Sequence, residues 1–70
     1  MPTIAELRKA RRLTQFELAA MVGVRPESIH KWEAGRAVPY DRNLRKLAEV
    51  FGVHPDEIEL IEDAEGKEAA

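Results

Sequence analysis

The feature of this sequence that most restricts its fold is a connection of three residues, Gly23-Val24-Arg25, between two segments with helical periodicity. The segments cover residues 15–22 and 26–34, and their apolar sides consist of Leu18, Ala19 and Val22 in the first and Ile29 and Trp32 in the second. Gly23 suits the end of the first helix, and Pro26 suits the first turn of the second. Because the connection is so short, the second helix is predicted to cross the first steeply.

Capping signals predict where the first two helices begin. Thr3 and Glu6 have the spacing of a capping box, and they open a first helix that runs to about Arg11. Thr14 and Glu17 have the same spacing immediately before the second helix. In each pair, a hydroxyl and a carboxylate three residues later satisfy backbone N–H groups that the first turn leaves unpaired.

Two more helices are predicted in the second half of the chain. Asp41 is a suitable N-cap for a helix that Gly52 closes, and its core-facing stripe consists of Leu44, Leu47, Ala48 and Phe51. Pro55 begins a last helix, whose apolar contacts are Ile58 and Leu60 or Ile61. The sequence therefore predicts an all-α, compact five-helix domain over residues 1–61, with no strand.

Length and composition limit the remaining possibilities. Seventy residues form one domain, and the absence of cysteine excludes a disulfide framework or a thiolate metal site. Residues 62–70 are acidic and lack periodicity, so a disordered tail is expected there. Neither a signal peptide nor the ~20 apolar residues of a membrane span is present. We expect a soluble, cytoplasmic protein with no membrane partner.

The charge of the chain is divided between its two halves. The net charge is −2, but residues 1–46 hold ten basic and five acidic side chains, whereas residues 47–70 hold one basic and eight acidic side chains. Because exposed charges farther apart than a Debye length of about 8–10 Å are largely screened, a basic face can still attract a polyanion. Solvated helix faces would give the same pattern, so charge by itself does not decide the partner.

Residues 15–34 resemble the helix-turn-helix of the phage lambda and 434 repressor and Cro family, also called the Xre family. Ala19 stands where the family keeps a small residue between the two helices, and Gly23 is its turn glycine. The flanking matches are Leu13-Thr14-Gln15, Trp32-Glu33-Ala34-Gly35, Pro39, Leu47-Ala48 and Phe51-Gly52-Val53. The resemblance covers roughly residues 3–61. It implies a DNA-binding domain whose helix 26–34 enters the major groove, which is about 12 Å wide and admits one α-helix.

The resemblance also implies which residues contact DNA: Gln15, Arg25, Pro26, Glu27, Ser28, His30, Lys31, Arg36 and Arg42. Gln15 would bind a phosphate at the start of its helix, where a helix N-terminus favours an anion. Glu27 could accept a hydrogen bond from cytosine and Lys31 could reach guanine, whereas Arg25 meets a phosphate or an edge base. Arg36 and Arg42 resemble the backbone-gripping residues of the family, and Arg8 and Glu33 resemble a structural pair between the first and third helices.

Two positions depart from the family pattern. Arg25 replaces the usual Ser or Thr N-cap of the recognition helix, and Pro26 occupies a position that often carries a base-reading polar side chain. Pro26 could instead give apolar contact to a thymine methyl, and Glu27 near phosphates could reject wrong sequences. His30 is either a DNA contact or a solvated residue. These departures affect the operator sequence and leave the fold unchanged.

Two classes of function remain. The first is a sequence-specific DNA-binding transcriptional regulator, a repressor, acting as a homodimer on double-stranded DNA because one recognition helix reads about half a site. Its dimer surface is placed at the last helix, through Leu60 and Ile61. The second is an adaptor or antitoxin-like module that binds a protein partner through the acidic residues 47–70. No enzyme is expected and no cofactor, and His54, Asp56 and Glu57 lack the fourth ligand of a metal site.

Overall fold

The computed structural model describes residues 1–62 of the chain and the backbone of residues 68–69. Within these residues there are four α-helices: α1 (Ile4–Ala10), α2 (Gln15–Val22), α3 (Pro26–Ala34) and α4 (Asp41–Phe51). A 3₁₀-helix covers Pro55–Glu57. Two strands of two residues each, β1 (Ala37–Val38) and β2 (Glu68–Ala69), pair in parallel.

Both predicted capping boxes are present. Thr3 Oγ1 accepts a hydrogen bond from the Glu6 N–H at 3.2 Å, and the Glu6 carboxylate accepts one from the Thr3 N–H at 2.8 Å. The same reciprocal pair joins Thr14 and Glu17 at 3.0 and 2.8 Å. The beginnings of α1 and α2 were thus correctly predicted. At α4 the prediction was one residue off, since Tyr40 is the N-cap and Asp41 is the first helical residue.

The predicted fifth helix is wrong. Pro55–Glu57 makes a single 3₁₀ turn, after which Ile58 has an extended backbone with φ −96° and ψ 121°. The next residue, Glu59, donates its N–H to the Pro2 carbonyl at 2.7 Å and forms a parallel bridge with Thr3. Burial alternates here, with Ile58 buried and Glu59 exposed, which is the period of a strand. This segment therefore crosses beside the start of α1 in an extended conformation.

The prediction that the domain contains no strand is also wrong. Ala37, directly between α3 and α4, pairs with Glu68, and Val38 pairs with Ala69. Within the predicted tail over 62–70, the structure describes Glu62 and the backbone of this second strand, and residues 63–67 and 70 lie outside the described residues. The disorder of the tail stays a prediction.

The core lies between the four helices and the Ile58 segment. Its buried apolar members are Ile4, Leu18, Ala19, Val22, Ile29, Trp32, Ala37, Leu47, Ala48, Phe51 and Ile58. Arg11 joins the end of α1 to the end of α4 by donating from its guanidinium to the carbonyls of Val50 and Phe51. A cation at a helix C-terminus satisfies carbonyls that have no partner inside the helix. The packing of the core therefore holds α2 and α3 against α1 and α4, and Arg11 joins α1 to α4.

No bilayer-spanning helix occurs in the described part of the chain, since none of its helices combines the required length and apolar character.

Candidate nucleic-acid interface

The turn between α2 and α3 is tight. Gly23 has φ 87° and ψ 34°, and the N–H groups of Gly23 and Val24 both donate to the Ala19 carbonyl, at 2.8 and 3.0 Å. Two donors on one carbonyl close the end of α2 and turn the chain at once. Arg25 then has an extended backbone, and its carbonyl accepts from the Ser28 N–H at 3.0 Å, which begins α3.

The side of α3 that faces the core is formed by Ile29 and Trp32, which are 0% and 2% exposed. The opposite side contains the predicted base-reading residues. Arg25, Glu27 and His30 are exposed, and Pro26, Ser28 and Lys31 are half-buried. The first two turns of α3 therefore present polar and charged groups to solvent, while Ile29 and Trp32 anchor the helix in the core. Their contacts with DNA stay predictions.

A network of hydrogen bonds ties α3 to the rest of the motif. The Arg8 guanidinium donates from Nε to Glu33 Oε2 at 2.6 Å and from Nη2 to Glu33 Oε1 at 3.0 Å. Arg8 also donates to the Leu13 carbonyl at 2.8 Å. The Gln15 amide donates to Glu33 Oε1 at 3.0 Å. The pair of Arg8 and Glu33 between α1 and α3 was expected, but the bond from Gln15 was not.

The charge state of this network is well defined. Burial of Glu33 disfavours its ionised form, but hydrogen bonds from Arg8 and Gln15 and the positive charges of Arg8 and Lys9 outweigh that effect and lower the pKa of Glu33. The hydrogen bond to Glu33 raises the pKa of Arg8. Both groups are ionised at neutral pH, so a charged pair joins the last turn of α3 to α1, and the neutral amide of Gln15 adds a hydrogen bond from the first residue of α2. Gln15, the predicted phosphate ligand, is oriented by Glu33.

The connection between α3 and α4 adds two exposed cations. Arg36 follows α3, and Arg42 lies in the first turn of α4, so the structure places both at the ends of the segment that contains β1. The guanidinium carbon of Arg42 lies 5.6 Å from the centre of the Tyr40 ring, within the range of a cation–π contact. Tyr40 was missed in the sequence, although an aromatic residue two positions before an arginine is a usable signal.

A second missed feature is the outer face of α2. Phe16 is 74% exposed and Met21 is 56% exposed, whereas Leu18 and Val22 on the other side are buried. Helical periodicity places Phe16 and Met21 away from the inward stripe, so the sequence did contain this signal. Phe16 directly follows Gln15 and therefore lies at the edge of the candidate interface.

Comparison of the sequence with known proteins identifies its family. A family model described as helix-turn-helix matches residues 4–58. The chain is 44% identical over 50 residues to multiprotein-bridging factor 1 of Candida albicans. The matched segment makes up 71% of the chain and 33% of that protein. It is 36% identical over 66 residues to the HTH-type transcriptional activator BcrR of Enterococcus faecalis, covering 89% of the chain and 32% of that protein.

A third relative is nearly coextensive with the chain. An uncharacterized HTH-type transcriptional regulator of Archaeoglobus fulgidus is 39% identical over 62 residues, which make up 89% of both proteins. By contrast, the chain spans about a third of the length of the bridging factors that it matches. No solved structure was found to match the chain. The match over residues 4–58 confirms the expected resemblance, and the chain belongs to the Xre-type helix-turn-helix family of DNA-binding transcription regulators.

Proposed function

We propose that this protein is a sequence-specific transcriptional repressor that inserts α3 into the major groove of double-stranded DNA as a homodimer. The observation that carries the proposal is the division of α3 into two sides. Ile29 and Trp32 close the core, while the first turns present Arg25, Glu27 and His30 to solvent. A helix held in this way can enter a groove with its N-terminal residues toward the base edges.

The proposed contacts follow from chemistry and position. Gln15 and the N-terminus of α2 bind one phosphate, and Arg36 and Arg42 grip the backbone on the other side of α3. Lys31 and Glu27 read base edges, and Ser28 and His30 lie beside them. Pro26 makes apolar contact with a thymine methyl, and Arg25 contacts a phosphate or a base at the edge of the site. Ten of the eleven basic side chains lie in the first 46 residues, whereas eight of the thirteen acidic side chains lie in residues 47–70.

A dimer is proposed because one recognition helix reads too few bases for useful specificity. Two copies on a pseudo-palindrome would place their recognition helices about 34 Å apart, one turn of B-DNA. Ile61 is 41% exposed and follows the half-buried Leu60, which supports a dimer contact at the extended segment after the 3₁₀ turn. A bound dimer over a promoter would block transcription.

The test is enrichment of binding sites from a random duplex pool at low and at near-physiological salt. A two-fold symmetric sequence that survives the higher salt supports the proposal. Binding at low salt without enrichment would reflect counterion release from phosphates and would contradict it. Lys31→Glu with Arg42→Glu should abolish binding, and Arg12→Glu, a charge reversal on the connection before α2, is the matched control that should retain the selected sequence.

A second candidate function is a protein-binding adaptor or antitoxin-like module. It is favoured by the 44% identity to a protein named for bridging other proteins and by the acidic second half of the chain. The exposed apolar side chains Phe16 and Met21 also suit a protein partner. The same double charge reversal separates the two functions, because an adaptor that uses residues 47–70 would keep its protein partner after losing DNA.

A further inference from the structure

The first turn of α2 has backbone donors left over after its capping box has formed. The Thr14 N–H bonds to the Glu17 carboxylate, the Glu17 N–H bonds to Thr14 Oγ1, and the Leu18 N–H bonds to the Thr14 carbonyl. No acceptor within the described residues takes the N–H groups of Gln15 and Phe16. Two adjacent backbone donors at a helix N-terminus favour an anion, and the proposed function places a DNA phosphate there.

The side chain of Gln15 is held by Glu33, near the other end of the motif. Gln15 Nε2 donates to Glu33 Oε1 at 3.0 Å, and Arg8 donates to both carboxylate oxygens, at 2.6 and 3.0 Å. The side chain of Glu33 is 9% exposed and that of Arg8 is 12% exposed, so this pair is fixed in the packed interior of the motif. The Arg8 charge offsets that of Glu33, so the pair presents no net negative charge to an approaching phosphate.

The chemistry of the two groups decides which end of the Gln15 amide meets Glu33. An ionised carboxylate only accepts hydrogen bonds, whereas an amide has two N–H donors on its nitrogen and an acceptor on its oxygen. The NH₂ end therefore faces Glu33, and its second N–H is the side-chain donor that stays available for a phosphate. A neutral amide in place of the carboxylate can donate as well as accept, so it would permit the reversed orientation, in which the Gln15 oxygen takes the place of the donor.

We propose that Glu33 is a positioning residue for DNA binding: anchored by Arg8, it fixes the amide of Gln15 in the orientation that donates to a backbone phosphate. This rests on the proposed function, in which Gln15 is a phosphate ligand. Glu33 itself does not contact DNA. Its effect on affinity passes through Gln15 and concerns one phosphate, so it is independent of the base sequence and separable from the contribution of Glu33 to folding.

A double-mutant cycle on DNA affinity tests the proposal. Gln15→Ala is measured in the unchanged protein and in Glu33→Gln on one fluorescently labelled duplex, at a temperature at which circular dichroism shows every variant to be folded. We expect Gln15→Ala to weaken binding about ten-fold in the unchanged protein and less than about three-fold in Glu33→Gln, because the amide that is no longer fixed has already lost its bond to the phosphate. Comparing affinities within each background cancels the uncompensated charge that Glu33→Gln leaves on Arg8.

Val22→Ala is the matched control, since it removes buried apolar contacts at the far end of α2 and leaves the network intact. In that background Gln15→Ala should keep its full cost of about ten-fold. An equal cost of Gln15→Ala in Glu33→Gln and in the unchanged protein would overturn the proposal. A cost that falls as far in Val22→Ala would assign the effect to loss of stability and overturn it as well.

A second measurement uses the unchanged protein and does not depend on the folding of Glu33→Gln. The nuclear magnetic resonance coupling across the hydrogen bond from Gln15 Nε2 to Glu33 Cδ should be present in the free protein and persist in the complex with the duplex. Loss of this coupling on binding would show that Gln15 leaves Glu33 to reach DNA, which would overturn the proposal and leave the proposed function intact. Failure of the unchanged protein to bind any duplex would overturn the proposed function, and this proposal with it.

Discussion

Replacement of Glu33 by glutamine tests the network that holds the recognition helix. Glu33 Oε2 accepts from Arg8 at 2.6 Å, and Glu33 Oε1 accepts from both Arg8 and Gln15 at 3.0 Å. Glutamine has one acceptor oxygen and places an NH₂ group in the other position, next to a donor. Either the 2.6 Å bond from Arg8 Nε or both bonds to the Oε1 position are therefore lost, and the Arg8 guanidinium keeps its charge with a side-chain exposure of 12%.

The expected loss follows from these contacts. A hydrogen bond to a charged group contributes about 1.5–3 kcal/mol, and breaking a fully buried ion pair costs about 3–5 kcal/mol. Because this pair keeps some contact with solvent and Arg8 retains the Leu13 carbonyl, we expect Glu33→Gln to lower the free energy of unfolding by about 2–3 kcal/mol. For a domain of this size that corresponds to a fall in Tm of about 10–20 °C.

Urea denaturation followed by circular dichroism at pH 7 measures the change. Glu49→Gln, the same substitution at an exposed position on α4, is the control and should stay within about 0.5 kcal/mol of the unchanged protein. A double-mutant cycle with Arg8→Met isolates the pairwise contribution. A loss below about 0.5 kcal/mol for Glu33→Gln, or a cycle with no coupling, would refute the view that this network stabilises the motif.

The same reasoning fixes the pH dependence. The pKa of Glu33 is lower in the folded protein than its usual value, so the stability it contributes is fully present above the unfolded pKa of about 4.3. That contribution is lost as the pH falls through the folded pKa. The gap between the unchanged protein and Glu33→Gln should therefore be constant from pH 6 to 8 and narrow below about pH 4. A gap that widened in acid would contradict the assigned direction.

Three further perturbations test other parts of the molecule. Gly23→Ala should lower the free energy of unfolding by about 1–2 kcal/mol because alanine is disfavoured at a φ of 87°. An added Cβ would meet nothing nearer than Lys46 Nζ at 4.0 Å, so the cost comes from the backbone conformation and not from a clash. An unchanged Tm in thermal denaturation would contradict this prediction. Thr14→Ala removes one capping box and should cost about 1 kcal/mol by the same assay, whereas Thr14→Ser should cost little. Arg42→Ala should weaken binding uniformly across duplex sequences and reduce the salt slope of the affinity by about 1, and a change confined to one sequence would instead make Arg42 a base contact.

Local signals in the sequence located the motif well. Thr3 and Thr14 each have a carboxylate three residues later, and the capping bonds form as that spacing requires. Gly23 and Gly35 end α2 and α3 in the left-handed conformation, so the limits of both motif helices were predictable from short-range chemistry. The interaction of Arg8 with Glu33 came from resemblance, because residues 25 apart in sequence carry no local sign that they meet.

The end of the domain was harder to predict. Pro55 and the acids after it favour a helix start, and the apolar residues Ile58 and Ile61 fit a helical period. The alternative pattern, Ile58 inward and Glu59 outward, is equally compatible with the sequence, and a hydrogen bond from Glu59 to Pro2 decides it. That partner lies at the opposite end of the chain. Strand β1 escaped prediction for the same reason, since two residues carry no period and their partner is distant.

The separation of the two sides of α3 has a consequence for how such a regulator can change its target. Arg25, Glu27 and His30 take no part in the core, so exchanging them should leave stability almost unchanged. Glu33 and Trp32 on the same helix are bound to the scaffold and have no such freedom. With the base-reading roles proposed above, new operators would be accessible by single substitutions without a compensating change elsewhere. A lineage of such proteins would diverge in its targets while its architecture stays fixed.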